Sequence, residues 1–366
     1  MPKLDANVYV TRQIPQPGID MLLDACARVD VNPEDRVLTR PELLDAVTGR
    51  DGILCLLTDA IDAEVLDAAR GCRIFANCAV GYNNIAVAAA TARRIAVTNT
   101  PGVLTDATAD LTWALLFSVA RRIPEGDRYT RAGKFKGWSP MLLLGSDISG
   151  RTLGILGAGR IGTAVALRSR GFRMRVLYFD KVHNEALEQA LGAQLVDLET
   201  LLRESDFVSV HVDLNPQTRH LIGARELALM KPTACLINTS RGPVVDEAAL
   251  VEALVQRRIA GAGLDVFENE PDLAPGLADL DNVVIPPHLG SATVGTRTRM
   301  ATVAASNLLA MLRGERPPNI VNPEVLSPST PPSPSPSASH TLSPPDPHTP
   351  SPSGPHTPSP SGRGRG

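Results

Sequence analysis

Short apolar runs alternate with longer segments whose apolar residues recur every three or four positions, almost throughout the first 320 residues. Runs of four to six mostly apolar residues at 7–10, 52–57, 74–79 and 95–98 read as buried strands. Between them, 18–27, 41–47, 62–69 and 85–93 read as helices; in the first, Ile19, Leu22, Leu23 and Cys26 share one helical face. The rhythm resumes further on. Strands are expected at 153–156, 174–179, 194–196, 207–212, 235–238, 262–266 and 283–285, and helices at 185–191, 198–204 and 247–256. Strands that alternate regularly with helices build parallel sheets covered on both faces. The expected fold class is therefore α/β, with two doubly wound parallel-sheet domains.

Three segments interrupt or close this rhythm. Residues 105–122 read as one long helix, apolar around most of its circumference and so expected to be buried between domains or subunits. Pro124 is expected at or past its end, with a second helical piece running to residue 131. Residues 133–150 form a loop with Trp138, Pro140 and the leucines 142–144, an apolar loop suited to covering a cleft or a neighbouring subunit. The helix at 293–312 is long enough to cross back to the first domain.

Composition adds bounds to the pattern. A chain of 366 residues exceeds what one core usually serves, which favours two domains. A net charge of −3 carries no general nucleic-acid footprint. No apolar stretch approaches the roughly 18–20 residues of a membrane span, and the start lacks the charged-then-apolar pattern of a signal peptide. The cysteines Cys26, Cys55, Cys72, Cys78 and Cys235 are odd in number and include no C-x-x-C pair, as expected for reduced core thiols of a cytoplasmic protein. Residues 327–366 are almost entirely Pro, Ser, Thr, His and Gly, with one octamer repeated in tandem at 347–354 and 355–362. Such a segment cannot bury enough apolar surface to offset its ordering entropy, so it is expected to be disordered. Its histidines, His340, His348 and His356, read as part of a spacer rather than as a metal site.

The chemistry starts at residues 152–180. An apolar strand ends in Gly157-Ala158-Gly159-Arg160-Ile161-Gly162, a G-x-G-x-x-G turn opening a helix, and the next strand ends in Asp180. Gly157 permits the tight turn. Gly159 lets the backbone approach a pyrophosphate, and Gly162 lets helix and strand pack closely. The phosphates would sit on the amides at the helix start, Arg160 and Ile161 among them. Asp180 stands where a carboxylate accepts hydrogen bonds from an adenosine ribose, and its charge would repel a 2′-phosphate. The expected cofactor is therefore NAD, with NADP less favoured, although Arg160 and Lys181 are near enough in sequence to meet a phosphate. A plain glycine-rich connection explains the turn but leaves the acid without a purpose.

Three ionisable residues, Arg241, Glu270 and His288, follow strand ends of the second domain, where ligands of parallel sheets bind. Together they suit hydride exchange with a 2-oxo or 2-hydroxy acid. Arg241 can grip the carboxylate through its planar fork. His288 can donate a proton to the oxygen, and Glu270 can hold the other ring nitrogen and favour the imidazolium. Singly, each has an ordinary structural alternative. In the first domain two strand ends are suggestive, Leu57-Thr58-Asp59 and Val80-Gly81-Tyr82, the latter with backbone N–H groups open to an anion. No metal site is expected.

These residues resemble the D-isomer-specific 2-hydroxyacid dehydrogenases over roughly residues 5–322. The stretches that carry the resemblance are LGILGAGRIG (153–162), HVDLNPQTRHLI (211–222), MKPTACLINTSRGPVVDEAAL (230–250), GAGLDVFENEP (261–271) and PPHLGSAT (286–293). The resemblance implies catalytic Arg241, Glu270 and His288, substrate binding by Val80, Gly81, Arg241 and His288, and cofactor contacts at Thr105, Thr239, Arg241 and Asp265. It implies a flavodoxin-like substrate domain (1–100 plus 289–326), a Rossmann NAD-binding domain (101–288) and a homodimer. The loop with Trp138 looks most like the glyoxylate and hydroxypyruvate reductase branch, so a small 2-oxoacid is the expected substrate. Alternatives are a D-3-phosphoglycerate dehydrogenase, which often carries an additional regulatory domain, or an NAD-sensing corepressor that uses the Pro-rich tail as an interaction arm. Glu270 argues against formate dehydrogenases, which carry glutamine there. An S-adenosylmethionine methyltransferase would leave Arg241 and His288 without work.

Overall fold

The structure, a computed structural model, describes residues 2–327. All but the first residue of the segment expected to be disordered lies outside the described residues.

The first lobe contains β1 (Leu4–Val10), α1 (Gln16–Ala25), β2 (Cys26–Val31), α2 (Arg40–Val47), β3 (Gly52–Cys55), α3 (Ala63–Ala68), β4 (Ile74–Asn77), α4 (Val87–Ala92) and β5 (Ala96–Thr98). Its strands run parallel in the order β2-β1-β3-β4-β5. Every residue of β3 and β4 is buried. That accounts for their reading as unbroken apolar runs rather than alternating ones, because helices cover both faces of a parallel sheet.

Two helices, α5 (Thr105–Ala120) and α6 (Ile123–Arg131), lead to the second lobe. There follow β6 (Thr152–Leu156), α7 (Arg160–Arg168), β7 (Arg175–Phe179), α8 (Glu185–Leu191), β8 (Gln194–Leu195), α9 (Leu198–Glu204) and β9 (Phe207–Val210). The lobe ends with α10 (Ala224–Leu229), β10 (Cys235–Asn238), α11 (Glu247–Val255), β11 (Gly261–Leu264) and β12 (Val283–Val284). The strand order is β12-β11-β10-β9-β6-β7-β8, again parallel. The direction of winding reverses between β6 and β9, which opens a crevice beyond the carboxyl end of β6. Helix starts are marked by side-chain caps: Asp246 accepts from the Ala249 amide at 3.0 Å before α11, and Asp197 accepts from Thr200 before α9.

The last helix, α12 (Val294–Leu312), returns to the first lobe and packs on α1 and beneath β3, β4 and β5. Its Ala301, Ala304, Ala305 and Leu308 are fully buried. A Cβ on Gly18 of α1 would come within 2.8 Å of the Ala301 Cβ, so the two helices touch almost backbone to backbone. The chain beyond α12 stays with this lobe: the Val321 amide donates to Val97 at 2.8 Å and Asn322 Oδ1 accepts from the Val97 amide at 2.7 Å.

Two elements, β2 and α10, depart from the sequence expectation, whereas Pro124 falls past the end of the long helix as expected. The first helix stops at Ala25, and Cys26–Val31, not expected as a strand, pairs with β1 at the sheet edge. Pro124 lies in the first turn of α6, after a left-handed Arg122 (φ 53°), where its missing N–H removes no helical bond. α5 lies against β10, β11 and α7, with Trp113 Nε1 donating to the Val165 carbonyl at 3.0 Å. α10 was not expected. All five cysteines are free and buried, and burial pushes the Cys72, Cys78 and Cys235 thiols up to about 12. Among the described residues no helix is long and apolar enough to cross a membrane.

Candidate active site

The crevice beyond β6 begins with the glycine turn. Gly157 has φ 93°, and a Cβ there would lie 2.8 Å from the His211 carbonyl carbon. A Cβ on Gly162 would overlap the Gly157 carbonyl, so α7 starts pressed against the strand. A Cβ on Gly159 would meet nothing, which leaves that side of the turn open. Arg160 is exposed and Ile161 half-buried at the first positions of α7. Asp180, just past β7, accepts from the Ala158 amide at 2.8 Å and from the Lys181 amide at 2.6 Å. Its carboxylate thus pins the turn, while each oxygen keeps further capacity to accept. This cradle fits a dinucleotide: an exposed helix start for phosphates, an open backbone at Gly159 and an acid just past the neighbouring strand. His211 lines the turn from β9. Burial drives its imidazole down to about 3, so it is neutral, with Nε2 on Ser209 Oγ at 2.8 Å.

Thr105 opens α5 and is half-buried. Thr239, after β10, is 7% exposed and its hydroxyl is bonded to Thr112 Oγ1 at 2.9 Å. The turn it begins is closed by Asn238, which accepts from the Ser240 amide at 3.0 Å and donates to the Arg241 carbonyl at 3.0 Å.

Arg241 crosses to the first lobe. Its Nη1 donates to the Ser240 carbonyl at 2.7 Å and its Nε to Asn83 Oδ1 at 3.1 Å. A Cβ on Gly81 would overlap Arg241 Nη2, so glycine is what admits the guanidinium to the Val80-Gly81 loop. Burial pulls the guanidinium pKa down, opposed by the negative charges of Glu270 and Asp213; an arginine so placed stays charged.

Glu270 and His288 meet from the ends of β11 and β12. Glu270 Oε2 is 2.9 Å from His288 Nδ1, and Oε1 accepts from the Phe267 amide at 3.0 Å. Burial pushes the Glu270 carboxyl up, but His288, the Phe267 amide and Arg241 outweigh it and leave the pKa below its ordinary value. His288 has φ 55°, a left-handed conformation unusual for a residue other than glycine. The turn that holds it there is braced by Asp265, 1% exposed, which accepts from the Leu289 amide at 2.6 Å and the Gly290 amide at 2.8 Å. Burial pushes the Asp265 carboxyl up, against those amides and the His288 charge. Thr108 of α5 completes the brace with a bond to the Gly290 carbonyl at 3.1 Å.

The structure therefore brings Gly81, Arg241, Glu270 and His288 to one cleft beside the glycine turn. Asn83 and Thr108 were not singled out from sequence, since nothing marks a loop asparagine or a helical threonine as a contact between distant segments. The other suggestive strand end turns inward: Asp59 is buried and accepts from Thr11 Oγ1 at 2.6 Å and the Leu56 amide at 2.8 Å. Among the described residues no cluster of His, Cys, Asp or Glu is placed to hold a metal ion.

Residues 113–290 match the D-isomer specific 2-hydroxyacid dehydrogenase, NAD binding domain. A glyoxylate reductase from Thermococcus litoralis is 51% identical over 329 residues, covering 89% of this chain and 99% of the relative. The chain belongs to the D-isomer specific 2-hydroxyacid dehydrogenase family. As a 2-hydroxyacid dehydrogenase it is an oxidoreductase with a nicotinamide-binding domain. A glyoxylate reductase from Korarchaeum cryptofilum is 52% identical over 89% of this dehydrogenase and 98% of the relative. An NADPH-dependent glyoxylate/hydroxypyruvate reductase from Sinorhizobium meliloti, solved with citrate, is 33% identical. It superposes with a TM-score of 0.76 and covers 87% of this dehydrogenase and 98% of that chain.

Proposed function

We propose that this dehydrogenase reduces glyoxylate, and hydroxypyruvate with it, to the D-2-hydroxyacid at the expense of NADH. The observation that carries the reading is the meeting of the Glu270–His288 pair with Arg241 against Gly81 in one cleft. Bound NADH supplies the hydride. Arg241 and the Val80-Gly81 loop hold the substrate carboxylate. With Nδ1 held by Glu270, His288 offers Nε2 to the carbonyl oxygen and gives it a proton as the carbon is reduced. Glu270 fixes the ring and stabilises the imidazolium that serves as proton donor. Thr105, Gly157, Gly159, Arg160, Ile161, Gly162, Asp180, Thr239 and Asp265 are the proposed cofactor contacts. The intact acid–base pair favours catalysis over a purely NAD-sensing role.

NAD over NADP rests on Asp180, whose carboxylate would face a 2′-phosphate. The proposed division assigns 1–100 and 289–326 to the substrate domain and 101–288 to the cofactor domain. We also propose a cytoplasmic homodimer, supported by apolar side chains on the α6 helix and the loop after it: Trp138 is 85% and Met141 74% exposed, with Ile123, Phe135 and Leu144 beside them in the chain. Steady-state assays of the purified chain with glyoxylate, hydroxypyruvate and bulkier 2-oxoacids, using NADH and NADPH in turn, test the whole reading. NADH oxidation should be fastest with the two small acids, and Asp180→Ser should raise NADPH efficiency relative to NADH by about tenfold, the size expected for removing one like-charge contact. A wild-type chain that oxidises NADH with none of these acids would refute it.

A further inference from the structure

The loop facing Arg241 is held by two asparagines that the proposed chemistry does not use. Asn77, the last residue of β4, is fully buried. Its Nδ2 donates to the Gly81 carbonyl at 2.9 Å and to Asn84 Oδ1 at 3.3 Å. Asn99, just past β5, donates from Nδ2 to the Val80 carbonyl at 2.8 Å. Two successive carbonyls are thus drawn back into the first lobe. A planar trans peptide carries its C=O and the following N–H in opposite directions, and among the described residues the cis bond is Glu270–Pro271 alone. The Gly81 and Tyr82 N–H groups therefore point away from the two asparagines. Neither of these amides finds an acceptor among the described residues. Arg241 Nη2 lies against the same glycine, where a Cβ would stand.

The residue type matters. A carbonyl only accepts, so the group facing it must be the amide nitrogen, which fixes the orientation of both side chains. Aspartate would set an acceptor against an acceptor. The braces are themselves anchored. Asn84 Nδ2 donates to the Leu56 and Asp59 carbonyls at 3.0 Å each. The Asn99 amide donates to the Asn319 carbonyl at 3.2 Å, and the Asn99 carbonyl accepts from Asn307 Nδ2 at 3.0 Å. Asn307 is fully buried in α12 and takes the Asn319 amide and side chain on Oδ1, both at 3.2 Å.

We propose that Asn77 and Asn99 are positioning residues that aim the Gly81 and Tyr82 amides at the substrate carboxylate, with α12 as the rigid support through Asn307. The inference rests on the reading of the Val80-Gly81 loop as the carboxylate site of a 2-oxoacid reductase. Its test uses the full chain and the variants Asn77→Ser and Asn99→Ala, assayed with NADH and glyoxylate and with oxamate as the competing carboxylate. Each variant should raise the glyoxylate KM and the oxamate Ki by about tenfold, the range expected for misdirecting a hydrogen bond to a charged group. The NADH KM should stay within about twofold, because the glycine turn stands on the other sheet. Asn99 is less buried than Asn77, so Asn99→Ala decides the matter if Asn77→Ser folds poorly. Unchanged glyoxylate KM and oxamate Ki in a folded Asn99→Ala chain, or an NADH KM that rises in step with them, overturns the proposal. Failure of the wild-type chain itself to turn over glyoxylate or bind oxamate overturns the parent reading and this inference together, and is distinguished by appearing before any substitution.

Discussion

His288 combines an unusual backbone with a paired ring, and the two are connected. Its left-handed φ of 55° is held by the Asp265 bonds to the next two amides, and that geometry is what sets Nδ1 on Glu270. Asparagine tolerates such a conformation better than alanine, so His288→Asn removes the proposed proton donor with the least disturbance to the turn. It should lower kcat by at least about 10²-fold with little change in thermal midpoint, measured by NADH oxidation and by circular dichroism. Glu270 makes a pH prediction. Its folded pKa lies below the ordinary carboxylate value, so the unfolded chain binds its proton first as pH falls. The stabilisation from its ionised form is complete above the ordinary value of about 4.3 and is lost as pH drops through the depressed folded value. Denaturant melts of wild type and Glu270→Gln should therefore differ most near neutrality and converge in acid; a constant gap down to low pH would contradict the assignment. The ionisable members of this site were legible from residue type and place after a strand. Asn83, Thr108 and the bracing role of Asp265 were not, because each acts on a partner between 24 and 182 positions away and leaves no local pattern.

Among the elements, strands buried on both faces were read most closely: β10 falls on the expected residues, and β3, β4, β6 and β7 begin or end within two of them. β2 was missed because it is an edge strand. Its sequence, CARVDV, exposes Ala27 and Arg28 and alternates charge with apolar residues, so it resembles a loop. α10 was missed because six residues supply too little periodicity. The glycine turn, by contrast, is specified at Gly157 and Gly162 by contacts that tolerate no Cβ. Gly162→Val would drive a branched side chain into the Gly157 carbonyl. Overpacking of this kind typically costs about 1–3 kcal/mol, and displacing α7 from β6 should weaken NADH binding by about tenfold or more in a fluorescence titration. An unchanged Kd would mean that the turn does not carry the cofactor.

For the whole molecule, both sheets, the cleft and the returning helix precede residue 328. Truncation after Ser327 should therefore leave kcat and the glyoxylate KM within about twofold of the full chain, the scatter expected of a change that leaves the proposed site in place. A large loss would assign the Pro/Ser-rich segment a part in the reaction rather than a separate role. The sequence pattern indicated the two sheets and suggested the returning helix, since a run of alternating strands and helices followed by one long unpaired helix leaves few arrangements. It could not indicate how closely that helix approaches α1, which depends on Gly18 facing Ala301.

That closeness has a consequence for how the chain is made. β5 leaves the ribosome about 200 residues ahead of α12, an interval of roughly 10–40 s at about 5–20 residues per second. Throughout it, the nascent first sheet lacks the α12 share of the cover on one greasy side, while everything needed for the second sheet is emerging behind it. The amino-terminal lobe is thus synthesised first and sealed last, which makes it the part of the newborn polypeptide most exposed to chaperone capture.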